Sequence, residues 1–450
     1  MKQWLDSNES VENGISYICG MGIKSIEVYS VSPCAGEQKL PLVYFDIIWL
    51  LRRPTETIYF HALRCSQSHF LETIVPNLKH SLSEALQHFL PLASNIIFPL
   101  TSTEMPVSHY SSDSLPFTIA ISDADFDSLT ANHSKDAHQF HQFAPQMPPP
   151  VYSSAHIKFK PLAIQVSLFE KKGICIGLTH HHAICDAVGL FAFLRTWASI
   201  HKSGDPVLDS LPFYDRDSVQ DSDKLTKFSW NSIRTNTPTT FHPSATHKVR
   251  ATFILTVEQI NKLKCLSTSP ISTFVATCAH LWTCLARSET EAVDDDEPEY
   301  LTSPMDCRRR LNPPLPDNYF GNCLIFLQAK SSHRRLRGEE GFVAAAEAVA
   351  AAVREAAGGG GVLEGFEAKF DSYLELKGKR VTTVAGSSRI DRYGGVDYGW
   401  GKAIKYECIH TDFDGSVTLC MGRNGGIEMG LSLTTSKMDA FAAVFDTNLL

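Results

Sequence analysis

Several features that would assign a protein to a common class are missing from this chain of 450 residues. The 12 cysteines include no C-x-x-C pair, which disfavours a zinc ribbon or a disulfide framework and favours reduced thiols. The formal net charge of -8 offers no broad basic surface, so neither nucleic acid nor an anionic membrane is an expected partner. The N-terminal segment has no long apolar run, so we expect no signal peptide and no membrane insertion. These absences predict a cytoplasmic protein that acts on small molecules.

Sequence signatures of other enzyme groups are also absent. The chain contains no G-x-S-x-G, no G-x-x-x-x-G-K-[ST] and no H-E-x-x-H. The glycines near residue 358 do not fit the G-x-G-x-x-G spacing of dinucleotide-binding loops. Serine hydrolase, P-loop and Rossmann interpretations therefore lose support.

The composition predicts a packed globular protein of two domains. Hydrophobic residues make up 43% of the chain and charged residues 20%, and 450 residues exceed the size of one ordinary hydrophobic core. Residues 204–247 are rich in polar residues and proline and show little periodicity, which is typical of a long crossover. We therefore predict an N-terminal lobe over residues 1–203, a crossover linker over 204–247 and a C-terminal lobe over 248–450.

Hydrophobic periodicity predicts the main elements of each lobe. Residues 157–169 and 174–178 alternate between apolar and polar positions around a Lys-Lys-Gly turn, which indicates a hairpin. Apolar residues at the spacing of one helical face follow at Leu190, Phe193, Leu194 and Trp197. Strands are predicted over most of the chain beyond residue 361. Further helices are predicted over residues 70–90, 272–287 and 341–357.

Three consecutive histidines, His180, His181 and His182, lie where the predicted hairpin meets the predicted helix. His182 would project from a rigid strand end, where an imidazole can remove a hydroxyl proton as a general base. Such help typically accelerates a reaction about a hundred- to ten-thousand-fold. Asp186 begins the helix and suits the N-cap, where a carboxylate accepts amide protons. Because only His180 and His182 share a strand face and no third ligand follows, no metal site is expected.

Two segments far apart in the chain resemble the signatures of one enzyme family. His182 to Asp186 reads H-x-x-x-D, and Asp397 to Gly401 resembles D-F-G-W-G, with Tyr398 in the place of phenylalanine. H-x-x-x-D alone is a weak signal, whereas the two signatures in this order resemble the BAHD acyltransferases of plants. Asn318 to Cys323 further resembles the Y-F-G-N-C motif of the branch that acts on anthocyanins and related flavonoid or phenolic glucosides. The resemblance runs from about residue 26 to the C-terminus.

The resemblance implies an α/β fold of two similar-sized lobes, each with a mixed sheet and helices, like chloramphenicol acetyltransferase. A channel would run between the lobes with His182 midway along it, so that acyl-CoA enters from one face and an alcohol from the other. The reaction would occur in one ternary complex without an acyl-enzyme, because the thioester is already activated. Acyl-CoA would be a co-substrate, and no bound cofactor is expected. A complete site in one chain suggests a monomer.

The resemblance also implies roles for particular residues. The catalytic candidates are His182, Asp186 and Asp397. Asp186 would orient the loop by pairing with Arg308, and a structural role is favoured for Asp397. The remaining candidates would shape the lobe interface (Gly399, Trp400 and Gly401) or contact CoA (Ser272, Thr273 and Phe274).

Position 190 bears on the acyl donor. In malonyl-using relatives an arginine commonly lies eight residues after the catalytic histidine, where it can pair with the malonyl carboxylate; this chain has Leu190 there. We therefore predict a hydroxycinnamoyl donor, with a sugar hydroxyl of an anthocyanin or flavonoid glucoside as acceptor. Malonyl-CoA is the alternative donor, since Arg195 or another basic residue could replace the missing arginine. A plain alcohol or amine acceptor and a non-catalytic relative that binds phenolics are further alternatives.

Overall fold

The computed structural model describes residues 22–100, 104–207, 211–236, 247–358 and 361–447. The strands before the crossover are β1 (Ile23–Val31), β2 (Gln38–Pro41), β3 (Thr55–Ala62), β4 (Asn95–Pro99), β5 (Val107–Tyr110), β6 (Leu115–Ser122), β7 (Lys135–Asp136), β8 (Val151–Tyr152), β9 (His156–Phe159), β10 (Leu162–Phe169) and β11 (Gly173–His180). The helices up to residue 233 are α1 (Tyr44–Ile47), α2 (Gln67–His69), α3 (Val75–His88), α4 (Phe126–Thr130), α5 (His138–His141), α6 (Ala187–Ser203) and α7 (Ser222–Ile233).

The C-terminal half continues this mixture of strands and helices. Its strands are β12 (Val249–Leu255), β13 (Pro298–Asp306), β14 (Leu324–Ser332), β15 (Arg380–Ser387), β16 (Lys405–Cys408), β17 (Val417–Met421) and β18 (Ile427–Leu433). Its helices are α8 (Val257–Cys265), α9 (Thr273–Arg287), α10 (His333–Arg337), α11 (Gly341–Ala357), α12 (Phe366–Leu374), α13 (Thr411–Asp414) and α14 (Thr435–Thr447).

A six-stranded sheet in the order β1-β6-β10-β11-β3-β16 carries the histidine run at the end of one strand. β10 and β11 form the predicted hairpin, with Leu162 paired to His180 and Phe169 paired to Gly173. All residues of both strands are buried, which indicates that both faces of the sheet are covered. The histidine run therefore leaves a rigid, central strand.

Two strands cross between the halves of the chain. A seven-stranded sheet in the order β14-β13-β15-β17-β18-β12-β7 contains β7 from the N-terminal half, which pairs with β12. In return β16 from the C-terminal half pairs with β3, placing Tyr406 opposite Tyr59. A third sheet in the order β2-β5-β4-β9-β8 lies within the N-terminal half. Sheet membership therefore ties the two halves together on both sides.

Two large hydrophobic clusters form the main cores. The first cluster takes most of its residues from the N-terminal half and includes Trp197 of α6, whose indole nitrogen donates to Ser81 of α3 at 3.2 Å. The second cluster consists of residues between Val249 and Phe445 and includes Trp282 of α9. Both tryptophans are fully buried. α6, whose N-terminus follows the histidine run, is thus anchored along its length in the first core.

Most predicted elements are confirmed, and two predictions need correction. The hairpin, α6, α9 and α11 are present at the predicted positions. The crossover, predicted to have little regular structure, contains α7. Its buried apolar residues Leu225, Trp230 and Ile233 are few among polar ones, so the helical spacing was missed in the sequence. The C-terminal quarter, predicted as mostly strands, also contains α12, α13 and α14. None of the helices in the described ranges is long and apolar enough to span a membrane.

Candidate active site

His182 lies in the turn between β11 and α6, where the two halves of the chain meet. Its ring stacks on Trp49, with the ring centroids 3.8 Å apart and the ring planes at 20°. Its main-chain carbonyl accepts a hydrogen bond of 2.8 Å from Nδ2 of Asn322 in the C-terminal half. Nδ1 of His182 is buried, which leaves Nε2 as the nitrogen that can reach a substrate proton. His182 is therefore held through its ring by the N-terminal half and through its main chain by the C-terminal half, and Nε2 stays available.

Two effects keep His182 neutral at physiological pH. Burial lowers the pKa of His182 from 6.5 to about 4, although the Asp186 carboxylate opposes this shift. His410 also contributes: burial alone would lower the pKa of His410, but Cys408 and Asp414 raise it to about 9. The Cys408 sulfur lies 2.9 Å from Nδ1 of His410. A cationic His410 disfavours a second positive charge nearby, so His182 has the unprotonated form that a general base needs.

Asp186 is held from three directions. Its Oδ1 accepts hydrogen bonds from the amides of Val188 at 3.1 Å and Gly189 at 3.4 Å, so it caps α6. Its Oδ2 lies 2.8 Å from a guanidinium nitrogen of Arg308 and accepts a 3.1 Å bond from the amide of Cys323. Asp186 and Arg308 are each 1% exposed. The structure thus contains both contacts that the sequence suggested for Asp186, the helix cap and the arginine pair.

The Asn318 to Cys323 motif braces the turn that carries His182. Asn322 is fully buried and donates from both its amide nitrogen and Nδ2 to Oδ1 of Asp46, each at 2.9 Å. Asp46 is also fully buried and lies 3.8 Å from Arg216. Sequence reasoning missed Asp46, Trp49 and Arg216. The available signal was the position of Asp46, a single carboxylate within the apolar run from Leu40 to Leu51.

The second signature, Asp397 to Gly401, lies at the C-terminal end of α6, opposite the end that carries Asp186. Oδ2 of Asp397 lies 2.6 Å from Nζ of Lys202, and Oδ1 accepts bonds from the amides of Gly399 at 2.9 Å and Gly401 at 2.8 Å. Both glycines have positive φ, +96° and +90°, which lets the chain wrap around the carboxylate. From Asp186 to Lys202 the helix rises about 24 Å. These contacts support the structural role for Asp397 and do not support a catalytic one.

The aromatic residues of the second signature pack against α6. Tyr398 is 1% exposed, and its ring centroid lies 5.0 Å from Trp197 and 5.4 Å from Trp400. Nδ1 of His201 lies 2.7 Å from the carbonyl oxygen of Tyr398. The hydroxyl of Tyr398, the atom that distinguishes it from phenylalanine, has no hydrogen-bond partner among the described residues. The signature therefore fastens the C-terminal end of α6.

The remaining candidates lie at the start of α9 and in α6. Ser272 caps α9, with its Oγ accepting from the amide of Val275 at 3.2 Å, and Phe274 packs against the second hydrophobic cluster. Leu190 is 4% exposed and belongs to the first hydrophobic cluster. Arg195, a suggested replacement for an arginine at position 190, lies on the exposed side of α6.

An apolar pocket lies beyond Phe326, whose ring packs against Trp49. Trp49 reaches it through Phe326, with ring centroids 5.7 Å apart, and Phe326 stacks on Tyr373 at 4.2 Å. The pocket draws its walls from both halves of the chain. Its lining includes Phe45, Ile48, Phe326, Phe366, Phe370 and Tyr373. Such a surface suits an aromatic or other apolar group.

Comparison with known proteins places this geometry in a family. A family model described as the Transferase family matches residues 23–447. A malonyl-coenzyme:anthocyanin 5-O-glucoside-6'''-O-malonyltransferase of Salvia splendens is 38% identical, and the match covers 93% of each chain. A coumaroyl-CoA:anthocyanidin 3-O-glucoside-6''-O-coumaroyltransferase of Arabidopsis thaliana is 34% identical over 95% of this chain and 97% of the relative.

A solved structure gives the same fold. The crystal structure of vinorine synthase matches with a TM-score of 0.68 and 20% identity, covering 92% of this chain and 96% of that chain. This likeness confirms the predicted architecture of mixed sheets and helices in two lobes. The chain therefore belongs to the Transferase family, the BAHD acyltransferases that its two signatures resemble, and it is an acyl-CoA-dependent acyltransferase.

Proposed function

We propose that this enzyme transfers an acyl group from acyl-CoA to a sugar hydroxyl of an anthocyanin or flavonoid glucoside, with His182 as general base. The observation that carries the proposal is the placement of His182: its ring stacks on Trp49, its main-chain carbonyl accepts from Asn322, and its Nδ1 is buried, while burial lowers its pKa to about 4. An imidazole of this kind is unprotonated at physiological pH and cannot rotate freely. It is therefore prepared to accept one proton in one direction.

The chemistry follows from that arrangement. Nε2 of His182 removes the proton of the acceptor hydroxyl while the oxygen attacks the thioester carbonyl. The tetrahedral intermediate collapses, the carbon–sulfur bond breaks, and the CoA thiolate leaves with the proton returned from His182. Because the thiolate is a good leaving group, no enzyme nucleophile is required, and the site needs only to hold donor and acceptor together.

Positioning roles complete the site. We assign Asp186 and Arg308 to fixing the turn, because their buried pair joins the start of α6 to the Asn318 to Cys323 motif. Asp397, with Gly399, Trp400 and Gly401, would set the other end of α6. Ser272, Thr273 and Phe274 would contact CoA, and the support is their position at the N-terminal end of α9, where the helix dipole favours phosphate.

The acceptor class rests on the relatives and on the apolar pocket. The Salvia and Arabidopsis relatives are both named for transfer to anthocyanin or anthocyanidin glucosides. The pocket offers aromatic walls to a flavonoid ring, and its Phe326 packs against Trp49, which stacks on His182. A glucoside is therefore favoured over a plain alcohol or amine.

Two donors are candidates. Leu190 favours an uncharged hydroxycinnamoyl donor, because a buried leucine in the position of the relatives' arginine offers no partner to a carboxylate. The malonyl donor is supported by the Salvia relative, which is named for malonyl transfer. A malonyl donor needs another cation in the site to pair with its free carboxylate, whereas a hydroxycinnamoyl donor does not.

Lobe boundaries, oligomeric state and location are also proposals. A division into lobes at 1–203 and 248–450 with a linker over 204–247 is supported by the second hydrophobic cluster, whose residues all lie between Val249 and Phe445. A monomer is supported because His182, Asp186 and Arg308 come together within one chain. A cytoplasmic location is supported because no two cysteines of the described ranges are joined in a disulfide.

Release of the CoA thiol tests the proposed function. Purified enzyme is given cyanidin 3-glucoside with coumaroyl-CoA or malonyl-CoA in parallel, and the product mass is read by mass spectrometry. We expect acceptor-dependent thiol release with at least one donor and a product heavier by one acyl group. Thiol release that does not depend on any glucoside, or that yields an acylated plain alcohol instead, would contradict the proposal.

A further inference from the structure

Four arginines are buried among the described residues, and one of them differs from the other three. Arg308 faces Asp186, Arg250 lies 3.0 Å from Glu407 and also contacts Asp412, and Arg216 lies 3.8 Å from Asp46. Arg392 is 8% exposed, yet no side-chain carboxylate of the described residues lies within 4.0 Å of its guanidinium group. Burying a cation without an opposite charge is costly, which makes Arg392 the exception to explain.

Aromatic rings surround Arg392 instead of carboxylates. Its guanidinium carbon lies 4.5 Å from the ring centroid of Tyr406 and 5.2 Å from that of Phe191 in α6. The Tyr59 hydroxyl is within hydrogen-bonding reach, and burial raises the pKa of Tyr59 to about 12 although Arg392 opposes the rise. Cys420 is also close, and burial raises its pKa to about 12. These neighbours are therefore uncharged at physiological pH and do not neutralise the arginine.

Asp391, the acidic residue next to Arg392 in the sequence, bonds to backbone amides and does not pair with the arginine. Oδ1 of Asp391 accepts hydrogen bonds from the amides of Tyr393 at 2.9 Å and Gly394 at 2.7 Å, which fixes the local turn. Its carboxylate is exposed, whereas Arg392 points into the interior. The positive charge is thus left with cation–π contacts and the neutral Tyr59 hydroxyl, and a ligand can supply the missing anion.

Arg392 lies on the side of the sheet where the reaction would occur. Its charge is close enough to His180 to lower the pKa of that residue, and the ring centroids of His180 and His182 are 6.0 Å apart. Tyr59 and Tyr406 are paired on neighbouring strands, on the same sheet face as His180. The phosphates of CoA lie a whole pantetheine arm away from the thioester, so a cation at this depth is placed for an anion near the acyl carbon.

We propose that Arg392 binds the free carboxylate of a dicarboxylic acyl donor such as a malonyl thioester. In malonyl-CoA the carboxylate is one methylene from the thioester carbonyl, and it would reach Arg392 while the carbonyl faces the hydroxyl activated by His182. The inference rests on the proposed function and chooses between its two donors. With Arg392 in this role, the leucine at position 190 no longer argues against malonyl transfer.

Paired donors that differ only in the carboxylate test this assignment. Turnover (kcat/KM) with a flavonoid glucoside and binding by calorimetry are measured for malonyl-CoA and acetyl-CoA, in wild type, Arg392→Met and Arg392→Lys. Arg389→Met is the matched control, because Arg389 is exposed on the same loop. A charge-assisted, bidentate contact predicts that wild type binds and uses malonyl-CoA at least about tenfold better than acetyl-CoA.

The variants should separate recognition from folding. Arg392→Met should erase the preference for malonyl-CoA, while kcat/KM with acetyl-CoA stays within about twofold of wild type. Arg392→Lys should retain part of the preference. Arg389→Met should change neither the preference nor the kcat/KM with acetyl-CoA. The inference is overturned if wild type shows no preference for malonyl-CoA, if the preference survives in Arg392→Met, or if both donors lose equally. If no donor is turned over, the proposed function fails, while the binding preference still decides the role of Arg392.

Discussion

The two ends of helix α6 each carry an aspartate paired with a cation, and the two pairs differ in burial. At the N-terminal end Asp186 and Arg308 are each 1% exposed and are bonded to backbone amides and carbonyls as well. At the C-terminal end the side chains of Asp397 and Lys202 are 28% and 52% exposed. Removing one partner of a buried pair leaves an uncompensated charge, whereas an exposed partner is rehydrated. The difference in burial therefore indicates that the active site depends more on the signature at Asp186 than on the signature at Asp397.

Loss of the imidazole next to the buried pair should have the largest effect. We expect His182→Ala to lower kcat/KM about a hundred- to ten-thousand-fold, because the acceptor hydroxyl loses its base. CoA affinity should remain nearly unchanged. The matched control is His80→Ala on α3, since the side chain of His80 is 77% exposed. Retention of most of the rate in His182→Ala, measured as thiol release, would remove the general-base assignment.

The buried pair itself should control stability. Asp186→Ala should lower the free energy of unfolding by about 3–5 kcal/mol in urea titrations, because Arg308 stays buried without its partner. Activity should fall with it, since the turn that carries His182 loses its bond to Cys323. Asp127→Ala is the control, an exposed aspartate paired with Lys172. Equal destabilisation by both substitutions would show that burial does not distinguish the pairs.

The exposed end of α6 should tolerate a similar change. We expect Asp397→Ala to lower the free energy of unfolding by about 1–2 kcal/mol, mostly through the lost bonds to the amides of Gly399 and Gly401. The rate at saturating substrate should stay within about threefold of wild type, because Asp397 is remote from His182. If Asp397→Ala remains folded but loses as much rate as His182→Ala, Asp397 is a catalytic residue.

A smaller and opposite effect is expected at Tyr398. Its buried hydroxyl has no partner among the described residues, so Tyr398→Phe removes a polar group that costs free energy to bury. We expect the free energy of unfolding to rise by about 0.5–1 kcal/mol, with activity unchanged. Thermal melting provides the measurement. A fall of more than about 1 kcal/mol would mean that the hydroxyl is bonded in solution.

The N-terminal end of α6 was also the more predictable of the two regions from sequence. Alternation along β10 and β11 and the spacing of Leu190, Phe193, Leu194 and Trp197 locate the strand end and the helix, and an aspartate between them is a typical cap. The contact with Arg308 needed the family resemblance, because the two residues are 122 positions apart. Local patterns report which face of an element is buried and do not report what covers it.

The remaining features depend on partners that no local pattern identifies. Asp46 meets Asn322 across 276 positions, and β16 joins a sheet formed otherwise by the N-terminal half. Strands are predicted over most of the chain beyond residue 361, and that prediction does not identify the neighbour of β16. In the sequence Arg392 resembles an ordinary polar loop residue, and only the structure shows that it is buried against Phe191 and Tyr406.

The pH dependence of kcat/KM tests the central claim most directly, because it reports the pKa of the free enzyme's essential base. Burial holds the pKa of His182 at about 4, so the unprotonated, active form should persist as the pH falls well below 6.5. With a phenyl glucoside acceptor, which has no titrating group in this range, the value at pH 5.5 should be within about twofold of that at pH 7.5. An about tenfold loss at pH 5.5, the behaviour of an ordinary histidine, would contradict a desolvated His182 as the base.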